Sequence, residues 1–154
     1  MCKAIYFDMD GTVADLYGVR DWEPMLRAHI SDPYRFAAPM CDMLELHELL
    51  QEFVARGVTI GVISWGAIGA TRAYNAEVRR VKREWCRMYM PTVSEFHVVS
   101  YDTPKHRVAK IKDAVLVDDN AGVRDAWNIG ATIDATDKAQ MIQALRDLLA
   151  ELED

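Results

Sequence analysis

Two carboxylates one residue apart, Asp8 and Asp10, open the run Asp8-Met9-Asp10-Gly11-Thr12 directly after the apolar stretch Ala4-Ile5-Tyr6-Phe7. Unpaired charges at the end of a buried strand are costly, and they are tolerated where a cation or a reacting anionic group needs them. A second acidic pair, Asp118-Asp119, follows the apolar run Val115-Leu116-Val117. Brought together, Asp8, Asp10, Asp118 and Asp119 would repel one another. A hard divalent cation with oxygen ligands resolves the repulsion, and carboxylates, carbonyls and water without His or Cys favour Mg²⁺. These aspartates are the candidate metal ligands, and Mg²⁺ is the implied cofactor.

Such a metal keeps open positions for a substrate phosphate. Lys105 offers a positive point charge and Ser64 a hydroxyl donor for the remaining phosphate oxygens. Gly11 lets backbone amides approach the same group, and Thr12 and Trp65, which adjoin these residues, complete the phosphate-binding set. A carboxylate beside a metal-bound phosphate can act as nucleophile and form an aspartyl-phosphate. The alternate spacing then divides the labour: Asp8 attacks, while Asp10 protonates the leaving oxygen and later deprotonates water.

The elements that must position these residues alternate between short apolar runs and amphipathic helices. Strands are expected over 3–8, 58–64, 96–100, 114–118 and 132–134, and helices over 42–56, 67–90, 121–128 and 137–152. Thr103-Pro104 reads as an N-cap followed by proline at the first helical position. Such alternation predicts right-handed crossovers and a three-layer α/β/α, Rossmann-like fold with a central parallel sheet of about five strands. Ligands bind outside the carboxyl ends of such strands. Asp8, Asp10, Ser64, Lys105, Asp118 and Asp119 all fall at that edge.

With the sites in this order, the chain resembles the haloacid dehalogenase (HAD) superfamily. Asp8-Met9-Asp10-Gly11-Thr12, the strand ending in Ser64, the isolated Lys105 and Asp118-Asp119 are similar to its four motifs, and they span most of the chain. The resemblance implies that Asp8 is nucleophile and metal ligand and that Asp10 is acid/base, with its main-chain carbonyl on the metal. It implies that Ser64 and Lys105 hold the phosphoryl group. One of Asp118 and Asp119 would bind Mg²⁺ directly and the other through water. The second aspartate of the first motif points to phosphatase rather than dehalogenase chemistry. A narrower likeness, in residues 8–16, the helix from Tyr74 to Trp85 and residues 115–119, is to 5′(3′)-deoxyribonucleotidases. Those proteins carry a substantial cap after the first motif, whereas here residues 17–40 leave room only for a minimal insert.

The remaining features set the bounds. With 154 residues, 51% hydrophobic and 27% charged, the chain suits a single globular domain. No apolar run is long enough to cross a bilayer, and no secretory signal is expected before the first strand. Cys2, Cys41 and Cys86 are scattered and read as reduced thiols in a cytoplasmic protein. The net charge of −6 argues against a general nucleic-acid binder. A nucleotide or small phosphometabolite is the leading substrate, with a phosphorylated nucleic-acid end or phosphoprotein as the alternative and an idle phosphate-binding module as the rival of another class. A signalling receiver domain would place its lysine last, which this order does not. Tyr17, Trp22, Tyr34 and Phe36 could stack on a substrate or fill a small core. Arg79, Arg80, Lys82, Arg83 and Arg87 read as a solvated helix face. Arg72 could reach the phosphate, and His106 could line the site.

Overall fold

The computed structural model describes residues 2–153. Its first strand, β1 (Ala4–Phe7), is followed by the two-residue strand β2 (Ala14–Asp15), the helices α1 (Trp22–Arg27) and α2 (Asp32–Phe36), and the two-residue strand β3 (Ala38–Pro39). Helix α3 (Met43–Ala55) leads to β4 (Thr59–Trp65), and helix α4 (Arg72–Tyr89) to β5 (Glu95–Val99). The single turn α5 (Lys105–Val108) precedes β6 (Ala114–Asp118), α6 (Ala121–Ala126) precedes β7 (Thr132–Asp134), and α7 (Lys138–Glu153) comes last.

Five strands form one parallel sheet in the order β5-β4-β1-β6-β7, and β2 pairs with β3 as a separate antiparallel hairpin. The fold is α/β, three-layered and Rossmann-like. Strand β1 is buried on both faces, and its side chains alternate as the period of two requires. Ile5 and Phe7 join the larger core, with Leu46, Leu50 and Phe53 of α3 and Met141 and Leu145 of α7. Ala4 and Tyr6 join the opposite core, with Leu116 and Trp127. Gly61 lies opposite Tyr6 across the ladder, and a Cβ there would stand 2.6 Å from the Tyr6 ring. Glycine at that position makes room for the aromatic ring in the second core.

The crossover rule explains which helix covers which face. The chain steps from β1 to β4 to β5 in one direction, which puts α3 and α4 on one side, then returns across the sheet to β6 on the other. Central β1 therefore lies between β4 and β6, and the carboxyl ends of these three strands share one edge. The expected minimal insert after the first motif consists of α1, α2 and the β2–β3 hairpin. It packs on the first half of α4 through Leu16 and Tyr34 against Tyr74, Val78 and Val81. Two polar ties fix it there: Tyr74 Oη donates to the Ile30 carbonyl at 3.0 Å and Trp85 Nε1 to the Ala37 carbonyl at 2.8 Å.

Beyond one-residue shifts at several element ends, three features depart from the sequence pattern for local reasons. Helix α4 begins at Arg72 rather than at residue 67, because Gly69 turns the chain at φ +64° and Thr71 caps the helix by accepting the Tyr74 N–H. Thr103 does not cap α5. Its hydroxyl donates back to the Ser100 carbonyl at 2.6 Å, and Pro104 occupies the cap position. Trp127 lies beyond α6, buried, with its indole N–H on the Ala114 carbonyl at 2.9 Å.

Phe53 is fully buried between α3 and the sheet. Phe53→Ala removes that contact and leaves a cavity, so the fold should lose about 3–5 kcal/mol, read as a lowered midpoint in urea denaturation followed by circular dichroism.

Candidate active site

Strand β1 ends because the chain must turn. Asp8 still belongs to the ladder edge, its N–H donating to the Val117 carbonyl at 2.9 Å. The Met9 carbonyl then accepts from the amides of Thr12, Val13 and Ala14 at 3.0–3.1 Å, which closes a compact loop. Gly11 sits in that loop at φ +82°, and a Cβ there would stand 2.4 Å from Asp119 Oδ2. Glycine is thus required twice, for backbone conformation and for the close approach of the second acidic pair. Its amide is not free to meet a ligand: it donates to the Ala14 carbonyl at 2.9 Å, and the Thr12 amide is likewise spent on Met9.

The carboxylates of Asp8, Asp118 and Asp119 converge, each offering an oxygen within 4.8 Å of the others. Asp8 and Asp118 are buried and Asp119 is partly so. Lys105, delivered by the single turn α5 and only 5% exposed, bridges Asp8 Oδ1 at 3.0 Å and Asp118 Oδ2 at 2.8 Å. Thr12 has no exposed surface. Its hydroxyl accepts the Asp119 N–H and shares its proton between Asp8 Oδ2 and Asp119 Oδ1, all at 3.2 Å. It therefore binds carboxylates rather than lying open to a phosphate. The remaining Asp118 oxygen accepts the Asn120 N–H at 2.9 Å.

Asp10 is held apart from this cluster by a residue that the sequence reading missed. Lys82 lies in the basic stretch expected to be a solvated face, yet it is 1% exposed. Its ammonium donates to Asp10 Oδ2, Ser64 Oγ and the Trp65 carbonyl, each at 2.8 Å. The signal for it was available: Lys82 falls in the buried row of α4 with Val78, Val81, Trp85 and Cys86, at helical spacing. Ser64 differs correspondingly from its expected role. It is fully buried with its hydroxyl taken by Lys82. Trp65 also differs: its indole N–H is spent on the Thr103 carbonyl at 2.8 Å, and its ring stands 5.4 Å from the Lys105 ammonium. It forms a wall.

Beside these residues lies a cavity of about 540 Å³ lined by Asp8, Asp10, Tyr17, Trp22, Trp65 and Tyr101 among others. Tyr17 packs edge-on against Trp22 and Trp65 against Tyr101, both with ring centroids 5.0 Å apart. The ion pair Glu23–Arg27 sits at its rim. The aromatic residues of the insert thus divide. Tyr17, Trp22 and Tyr34 line the cavity, Tyr34 being buried with the Lys82 ammonium 4.6 Å from its ring centre, and Phe36 is largely exposed. Arg72 is exposed at the start of α4 and is not among the residues lining the cavity. His106 lines a neighbouring cavity beyond the Trp65–Tyr101 wall. Lys138, at the start of α7, donates to the carbonyls of Gly11, at 2.6 Å, and Ala135.

The electrostatics are those of an acidic cluster short of positive charge. Burial and then the charge of Asp8 push Asp119 up to about 6 and raise Asp118 against the pull of Lys105. Burial likewise raises Asp10, with Lys82 opposing. For Lys105 burial disfavours the charged form, but Asp8 and Asp118 outweigh it and the ammonium is held above its ordinary value. Lys82 and Lys105 offset only half of the four carboxylates. The net negative charge left on Asp8, Asp118 and Asp119, a donor set of oxygens with no imidazole or thiolate, suits a hard divalent cation.

Comparison with models of known protein families gives no match, and no curated protein sequence matches the chain. Among the described residues no helix is long and apolar enough to cross a membrane.

Between pH 4 and 6 the folded, metal-free protein keeps a proton on Asp119 that the unfolded chain has released. Its stability contribution therefore falls as pH rises through that window. Asp119→Asn should remove this penalty. In EDTA the melting temperature of the variant relative to wild type should rise from pH 4 to pH 7, by an amount that, discounted for the partial exposure of Asp119, corresponds to on the order of 1 kcal/mol.

Proposed function

We propose that this protein is a Mg²⁺-dependent phosphomonoester hydrolase of the haloacid dehalogenase type, acting through an aspartyl-phosphate on Asp8. The observation that carries this reading is the meeting of Asp8, Asp118 and Asp119 within 4.8 Å around the buried Lys105, with Asp10 on the same cavity. Asp8, Asp118 and Asp119 would hold the metal with their carboxylates and Asp10 with its main-chain carbonyl. When bound, the cation neutralises charge on the incoming phosphate.

The chain's own groups carry the steps. Lys105 and Thr12 hold the Asp8 carboxylate in one orientation, which lowers the entropy cost of in-line attack. An Asp8 oxygen bonds to phosphorus as the ester P–O bond breaks, and Asp10 gives its proton to the departing oxygen. Water then attacks the phosphorus, Asp10 takes back a proton, and phosphate leaves with Asp8 restored. The amides of Met9 and Asp10, which have no protein acceptor among the described residues, are the backbone donors left for the phosphate oxygens.

The substrate is a small phosphorylated molecule, a nucleotide or phosphometabolite. The cavity beside Asp8 is large enough for an organic leaving group of modest size and offers the rings of Tyr17, Trp22, Trp65 and Tyr101 beside the Glu23–Arg27 ion pair. We assign the protein to a reducing, cytoplasmic setting, which suits the free thiols of Cys2, Cys41 and Cys86.

The protein should hydrolyse p-nitrophenyl phosphate with Mg²⁺ and lose turnover in EDTA. Asp8→Asn should abolish both turnover and radiolabelling of the protein from labelled substrate. No turnover on that ester, on mononucleotides or on sugar phosphates would overturn the reading. Trp22→Ala should raise KM for an aromatic phosphate ester about tenfold, consistent with loss of one aromatic contact, and leave KM for glycerol phosphate within about twofold.

A further inference from the structure

Resting on the hydrolase reading, we infer that Lys82 is a positioning residue that fixes which oxygen of Asp10 carries the transferable proton. All three ammonium hydrogens are spent, on Asp10 Oδ2, Ser64 Oγ and the Trp65 carbonyl, each at 2.8 Å. The side chain is 1% exposed and the Tyr34 ring covers it at 4.6 Å. Lys82 therefore has no donor left for a substrate and no route to one; it acts through Asp10.

The consequence follows from hydrogen-bond inventory. An ammonium has donors and no acceptor, so the Asp10 oxygen that faces it must accept. Oδ2 cannot hold a proton in that position without losing the charge-assisted bond. The other oxygen, Oδ1, has no protein partner among the described residues, and the Asp10 side chain keeps 19% of its surface exposed where it lines the substrate cavity. The proton given to the leaving oxygen thus sits on Oδ1, and the proton taken from water returns there. Ser64 and the Trp65 carbonyl anchor the ammonium to the end of β4, so the orientation of Asp10 is tied to the sheet and not only to its own turn. The basic residue is carried by a helix whose neighbouring arginines, Arg79, Arg80 and Arg83, are exposed.

The test compares two aryl esters, phenyl phosphate, whose leaving group needs a proton, and dinitrophenyl phosphate, whose leaving group does not. The readout is kcat/KM, which ends with formation of the phosphoenzyme and leaves out the shared hydrolysis step. Lys82→Met should lower kcat/KM on phenyl phosphate by about 10–100-fold, within the range of a lost general acid. On dinitrophenyl phosphate it should change it by less than about threefold, with the Mg²⁺ midpoint unmoved. Lys82→Gln, which removes the charge and keeps a donor, should show the same selectivity in weaker form if the methionine variant folds poorly. In the Asp10→Asn background Lys82→Met should cost nothing further, because the two residues act as one unit. Equal loss on both esters, or an additional loss in that background, would overturn the inference. Inactivity of the wild type on both esters would instead overturn the hydrolase reading beneath it.

Discussion

Four carboxylates gathered at one edge of a sheet are held there by two buried ammonium groups, and most of the local architecture serves that compensation. Lys105 spans Asp8 and Asp118; Lys82 takes Asp10. Each arrives from a different layer. Lys105 comes on a single helical turn that exists between two strands with little other packing, and Lys82 from the buried row of the longest helix. Burying such charges is costly, and leaving one without its partner costs more than the pair contributes. The site is therefore an electrostatic unit, in which no member can be judged by its own contacts.

The sheet order supplies the second requirement, proximity. Because β1 runs between β4 and β6, the aspartates that end β1 and β6 are neighbours in space and the Ser64 end of β4 backs them from the other side. Thr12 then couples the two acidic loops through one hydroxyl. Around this rigid floor the insert contributes only walls. Its aromatic residues are positioned by packing on α4, the same helix that carries Lys82. The cavity wall and the ammonium that holds Asp10 thus share one element.

Much of this was legible in the sequence, and the limit has a physical cause. Asp8, Asp10, Asp118 and Asp119 stand out because charge at the end of an apolar strand has few structural uses, and parallel-sheet topology brings strand ends together. The five strands read well because both faces are buried and the apolar runs are nearly unbroken. Lys82 was passed over because a charge among arginines on a helix is ordinarily solvated, and residue type outweighed its place in the apolar row. Ser64 and Trp65 were located, but their partners were not, since a hydroxyl or an indole N–H can be spent within the protein as well as on a ligand. The insert could be sized from residues 17–40 as a loop with a short helical hairpin, but its helices could not be bounded, because they are too short to show a period.

The bond from Lys138 to the Gly11 carbonyl joins residues 127 positions apart. The loop around Asp8 is thus held by the last helix of the described chain, and the ion pair of Lys105 with Asp8 spans 97 positions. During synthesis the loop around Asp8 is made well before Lys105 and Lys138, which support it. A nascent chain therefore presents an unassembled acidic loop until Lys105 and Lys138 have emerged from the ribosome and packed. Contacts of such long sequence separation also slow folding, so the acidic site assembles long after its first loop is made.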